Sequence, residues 1–255
     1  MSKRPLFVSS DSSENWRSAA PYTALMRADR RSFAWEWLRR HHPYRQAWEE
    51  RHLPPAAFGL LAYEDPDRPT PLARPIWTRE RDPRVIDSTP VAGAHGEGDF
   101  LDIRALADLV SVEVDETGSE HWLLSDGHWA VRLALHDGTL LAGPALLEHR
   151  LLGLDAAALK LETLEQLIAL ARGGDMPTKL RPREVRAPRW ILELRTADGL
   201  AAGASQQVLA RAFFGSAISG RCWRTDSASY RLRVQRLVKA ARRRLTNPLD
   251  GPWFS

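Results

Sequence analysis

Cysteine is almost absent from this chain: Cys222 is the only one, which excludes an intrachain disulfide framework and fits a reducing compartment. Long apolar runs are missing too. No stretch approaches the roughly 20 residues that a membrane-spanning helix needs, and the opening MSKRPLFVSSDSSENW has no apolar core of a signal peptide. The expectation is a cytoplasmic protein without membrane contact. Motifs of enzyme chemistry are also lacking: no glycine-rich phosphate loop, no HExxH and no CxxC. His41, His42, His121, His128, His136 and His149 are not at metal-ligand spacing, and Asp102 reads as the cap of a following helix rather than as half of a carboxylate pair with Asp99. Neither catalysis nor a cofactor is expected.

Acidic residues are scarce in one part of the chain only. Residues 177–255 hold 16 Lys+Arg and 5 Asp+Glu, a net of +11, which leaves −7 for residues 1–176 within a total of +4. A basic end joined to a body of the opposite sign points to a polyanion at that end and another task for the body.

The basic end has helical order. Within residues 221–245 there are eight arginines and Lys239 against one acid, Asp226. Tyr230, Val234, Leu237, Ala241 and Leu245 follow a 4-3-4-4 spacing, which gathers them on one side of an α-helix. Arg231, Gln235, Arg236, Lys239, Arg242 and Arg243 fall on the other. One face suits a protein core and the other a nucleic-acid backbone.

Ahead of that helix, residues 205–214 form a second amphipathic segment with Ser205 as its cap and Val208, Leu209, Ala212 and Phe213 on the buried side. A third, residues 189–197, precedes the Asp198-Gly199 pair, which reads as punctuation. Three such segments make a candidate helix-turn-helix unit, although the 216–226 linker is longer than a minimal turn. Roles then follow from position. Ser227, Ser229, Arg231 and Gln235 lie early and polar, suited to base edges in double-stranded DNA. Arg224, Arg236, Lys239, Arg242 and Arg243 suit phosphates. Ser205 and Tyr230 complete the candidate DNA-binding set. Residues 227–235 are expected to read sequence and residues 236–244 to hold the backbone.

The rest of the chain predicts an α+β architecture in three parts. Residues 1–60 form an N-terminal helical module with two short helices, FAWEWLRRHH and PYRQAWEERH, the first capped by Ser32 and the two separated at Pro43. Residues 61–153 combine a proline-rich connector with a small antiparallel β meander of residues 121–125, 129–135 and 139–141, joined by the turn dipeptides Asp126-Gly127 and Asp137-Gly138. The eight prolines between Pro54 and Pro90 argue against central strands there. Residues 154–255 form a helical DNA-binding domain. Its first helix packs Leu159, Leu161, Leu164, Leu167, Ile168 and Leu170 and ends at Gly173-Gly174. Most of the ten tryptophans are core candidates, with Trp16 or Trp253 as a candidate for an interface.

Two stretches resemble known families. RAPRWILELRTADGLAAGASQQVLARAFFG followed by CWRTDSASYRLRVQRLVKAARRRL resembles the bacterial RovC-like DNA-binding domain family, through Gly203-Ala204-Ser205, Phe214-Gly215, Trp223 and the R-x-x-V-Q-R-L core at 231–237. FAWEWLRRHHPYRQAWEE resembles a short module, W-E-F-L-R-R-N-x-x-Y-R, found ahead of that domain in proteobacterial regulators. Together the likenesses cover about the first 50 and the last 90 to 100 residues. Gln206-Gln207 and His41-His42 depart from the usual patterns. The resemblance implies a DNA-binding transcription regulator of secretion-system or mobile-element genes. Activators and anti-activators share the domain, so the alternative is a regulator that binds protein without touching DNA. Self-association, and contact between the acidic body and the transcription machinery or another regulator, are further expectations.

Overall fold

The structure, a computed structural model, describes residues 15–93, 96–215 and 228–254. In chain order the elements are α1 (Arg30–Leu38), α2 (His42–Glu50), β1 (Ile86–Val91), β2 (Phe100–Leu101), β3 (Val110–Val114), β4 (Glu120–Leu124), β5 (Val131–Leu135), β6 (Ala145–Arg150), α3 (Leu154–Gly173), α4 (Ala187–Ala201), α5 (Gln206–Phe214) and α6 (Ala228–Thr246), with short 3-10 turns between them.

The two N-terminal helices lie where the sequence puts them, but the first starts earlier than expected. Asp29, not Ser32, is its cap: the Asp29 carboxylate accepts from the Ser32 amide at 2.8 Å and from the Ser32 hydroxyl at 2.9 Å. Six consecutive residues, Phe33 to Leu38, are buried, so α1 runs through the interior instead of along a surface. Its neighbours come from both ends of the chain. Phe33 meets Trp190 of α4 at 5.0 Å between ring centroids, and Trp190 meets Trp253 at 4.9 Å. Residues between Tyr22 and Trp77 and residues between Ala187 and Trp253 thus fill a single apolar core. Trp16 and Trp253, the interface candidates, are both buried within the chain.

The small meander is corrected to a larger mixed sheet. Six strands run in the order β2-β6-β1-β5-β4-β3 and curl into a half-barrel. Neighbours are antiparallel except β1 and β5, whose parallel register pairs Ile86 with Leu133. Residues 139–141 are not a strand. The third strand of the meander is β3, on the opposite side of β4, and β6 pairs with β1 and β2 to widen the sheet. The link from β4 to β5 is also longer than a dipeptide turn. Ser125 donates to the Trp129 carbonyl, and Gly127, at φ +94°, lies so close to Pro71 that a Cβ would sit 1.9 Å from the Pro71 carbonyl oxygen. Pro90 enters a central strand because it stands beyond Ser88, the last β1 residue paired with β5, where one side of the strand has become an edge.

Helix α3 covers the sheet with an unexpected face. Leu167 and Leu170 are buried, but so are Lys160, Thr163 and Gln166, while Leu161 and Ile168 face solvent. Polar anchors set this rotation. The Lys160 ammonium reaches Asp87 of β1 at 3.1 Å, and Gln166 donates to the Leu180 carbonyl at 2.9 Å.

Candidate nucleic-acid interface

Helix α4 opens the helical unit, and it is longer than its sequence suggests. Asp198-Gly199 does not punctuate it but lies inside it. Gly199 is needed there because neighbouring groups press against its Cα: a Cβ would meet Leu209 at 2.6 Å and Trp16 at 3.1 Å. Ser205 caps α5 as the sequence predicts, its hydroxyl accepting from the Val208 amide at 3.3 Å. Leu209 and Ala210 then pack with Val234 and Val238 of α6, and Trp16 closes this small core.

Helix α6 is held at both ends. Near its start Tyr230 packs against Phe214 at 5.4 Å between centroids, and the Arg233 guanidinium lies 4.5 Å from the same ring. Towards its end Ala241 and Leu245 join the large aromatic core. The expected apolar stripe is the inner face: Val234, Leu237, Val238 and Ala241 are buried. On the outer face Ser229, Gln235, Arg236, Lys239, Arg242 and Arg243 are all exposed, and Arg231 is half-buried at its margin. Tyr230 is half-buried through its contact with Phe214. Of the remaining candidates, Arg224 and Ser227 lie outside the described residues, as do Cys222 and Trp223.

One residue of the expected backbone-holding set faces inward. Arg244 is only 6% exposed; its Nε donates to Glu193 of α4 at 2.9 Å, and its guanidinium lies 4.4 Å from the Trp253 ring. The spacing contains the signal, since position 244 lies three residues after Ala241 on the inner stripe. Glu193 also accepts from Arg189 at 3.2 Å, so it draws that exposed arginine of α4 towards the end of α6. Arg189 is an addition to the candidate set that the charge count alone did not single out. Replacing Arg244 by glutamine should lower stability by about 1–3 kcal/mol, because Glu193 loses a buried partner, while affinity for DNA under folding conditions stays within about twofold. Urea unfolding beside a binding titration checks both parts.

A second polar cluster ties the N-terminal helices to this unit. Arg40, just after α1, grips Asp198 of α4 with both nitrogens of its fork, at 2.7 and 2.8 Å. Arg40 also bonds Glu36, which accepts from Arg39 at 2.7 Å and from the Thr70 amide at 2.8 Å. The Tyr22 hydroxyl donates to Asp198 at 2.6 Å. Burial pushes the Glu36 carboxyl upward, but Arg40 and Arg39 more than reverse this and hold it below the ordinary range. Asp198 behaves alike: burial raises it, and Arg40 pulls it below the usual value. The run WEWLRR is thus a clamp, with Glu36 and Arg40 supplying the grip and the tryptophans the packing.

Comparison with known families agrees with this division. A proteobacterial transcriptional regulator-like domain matches residues 15–74, which contain the clamp helices. A DNA-binding domain of type VI secretion system transcription factors, the RovC type, matches residues 151–246, which contain α3 to α6. Residues 75–150, which carry the whole sheet, lie outside both matched spans. No curated protein matches the chain.

Proposed function

We propose that this chain, a RovC-like regulator with a transcriptional regulator-like module ahead of its DNA-binding domain, acts through α6 as a recognition helix on double-stranded DNA. The observation that carries the reading is the division of α6 into a buried apolar face and an exposed face bearing Gln235, Arg236, Lys239, Arg242 and Arg243. In this reading Ser227, Ser229, Arg231 and Gln235 meet base edges in the major groove, because the early part of a recognition helix enters the groove first. Exposed Leu232 sits among them as an apolar contact for a thymine methyl group. Arg224, Arg236, Lys239, Arg242 and Arg243 hold phosphates, with Arg189 extending the contact onto α4. The Ser205 end of α5, a helix N-terminus, and the Tyr230 hydroxyl add backbone contacts. The regulated genes are of the secretion-system or mobile-element class, and the sign of regulation is activation. Packing against the clamp helices supports a fixed orientation of α6.

The division of labour along α6 is testable by selection from a random duplex library. Wild-type chain should enrich a defined motif. Gln235→Ala should relax one base-pair position of that motif, by about 1–3 kcal/mol. Lys239→Ala should weaken all sequences alike and leave the motif unchanged. Enrichment of no motif by the folded wild-type chain would remove the base-reading role, and a salt-insensitive complex with a protein partner instead would favour the anti-activator alternative.

A further inference from the structure

A cavity of about 30 Å3 lies at the seam between the N-terminal helices and the sheet. Arg31 and Trp35 of α1 line it from one side, and Arg132 of β5 with Trp129 just before that strand from the other. Arg31 already crosses the seam, donating to the Ala130 carbonyl at 2.8 Å. The wall holds three buried N–H groups with no hydrogen-bond partner among the described residues: the indole nitrogens of Trp77 and Trp129, and Nε of Arg132. These side chains are 2%, 2% and 1% exposed. Each of the three groups can donate and cannot accept. A buried donor without an acceptor is costly, so three of them around one cavity mark a place for an acceptor.

We infer that this cavity is a binding site for a small monovalent anion, a halide or formate, which fastens the N-terminal module to the sheet. The oxygens nearby are committed elsewhere. Asp29 and Asp82 accept from Arg31 at 2.8 and 3.0 Å. The Ser125 hydroxyl donates to the Trp129 carbonyl and accepts from the Gly127 amide at 2.9 Å. A water molecule could accept from two of the three donors, but its own hydrogens would then need acceptors from that committed set. An anion accepts from all three and donates nothing. Charge selects the same class. Arg31, Arg74 and Arg132 line the cavity against Asp29 and Asp82. The excess is one positive charge, which a monoanion balances and a dianion exceeds. Burial pushes the Arg132 guanidinium down to about 10, and Asp82 offsets this only in part, so a further negative charge beside it is favourable. Size agrees as well: a water-sized group needs about 10–15 Å3 of such space, which leaves room for a small ion.

The test uses the full-length chain without DNA, so its outcome is independent of DNA binding. At constant ionic strength, gluconate, which is too bulky for the cavity, is replaced stepwise by chloride or by formate. The melting temperature should rise along a saturating curve with at least one of the two, and the lower half-saturating concentration identifies the preferred anion. Trp77→Phe and Trp129→Phe each delete one donor and keep an aromatic ring. Each should raise the half-saturating concentration about tenfold or more, the effect of losing a hydrogen bond to a charged group. Trp35 lines the same cavity, but its indole N–H donates to the Arg68 carbonyl at 2.9 Å. Trp35→Phe should therefore lower the melting temperature in every salt and leave the half-saturating concentration unchanged. Melting curves without a saturating rise in either anion would overturn the proposal and leave water as the acceptor. So would a saturating rise that neither Trp77→Phe nor Trp129→Phe shifts, because the anion then binds elsewhere on the chain.

Discussion

Replacing Arg40 by methionine is expected to destabilise the chain by about 2–4 kcal/mol near neutral pH, and the loss should shrink as the solution is acidified. The magnitude follows from what Arg40 holds. Removing one partner of a buried ion pair costs about 3–5 kcal/mol, because the other charge stays behind without compensation. Asp198 is half-buried, so water moderates part of that loss. Methionine keeps much of the packing volume, and the change is therefore one of charge. Glu36 and Asp198 both have carboxyls held below the ordinary range in the folded chain. Groups of that kind add stability that is complete above the unfolded value, about pH 4, and that is lost as pH falls through the folded value. Without Arg40 the two acids rise, and their protonation relieves the variant before it affects the wild type. Urea unfolding between pH 3 and 7 should therefore show two curves far apart at pH 7 and converging below about pH 4. A gap of constant size would mean that Arg40 matters for packing alone.

The second large effect concerns the outer face of α6. Converting Arg236, Lys239, Arg242 and Arg243 together to glutamine is expected to reduce affinity for duplex DNA by about three orders of magnitude at ~0.1 M salt, since each phosphate contact contributes close to one decade through counterion release. Glutamine is a good helix former, and all four positions are exposed, so the melting temperature should stay within a few degrees of the wild type. The contrast with Arg244 is informative. It is the adjacent arginine in the same run, yet its guanidinium belongs to the core with Glu193 and Trp253. Charge in the sequence does not distinguish the two kinds of arginine, whereas position relative to the apolar stripe does.

That contrast shows what the residues reveal by themselves and what they do not. Local patterns carried well. The 4-3-4-4 spacing located the inner face of α6, Ser205 was legible as a cap, and Gly173-Gly174 marked the end of α3. Features set by distant partners were not legible. Asp198-Gly199 has the chemistry of a turn, but Arg40, 158 residues away in the chain, holds the aspartate, and the packing of Leu209 and Trp16 requires the glycine. The parallel pairing of β1 with β5 joins segments 47 residues apart in register, Ile86 with Leu133, and no short-range pattern specifies it. Helix α3 misled for a related reason: its leucines and Ile168 read as one packing set, yet Lys160 and Gln166 found buried partners on other elements and turned half of the leucines outward. The candidate site was readable because it rests on one helix. The clamp that orients it was not, because its members, Tyr22, Glu36 to Arg40, Thr70 and Asp198, come from four separated stretches of chain.

The central claim is that the outer face of α6 binds a nucleic-acid backbone, and a salt series tests it most directly. Affinity of the full-length chain for duplex DNA, measured from about 50 to 200 mM salt, should fall along a straight line of log affinity against log salt. The four-position variant should give a line shallower by about 3 to 4 ions. Equal slopes for the two proteins, or an affinity that does not change with salt, would contradict the account.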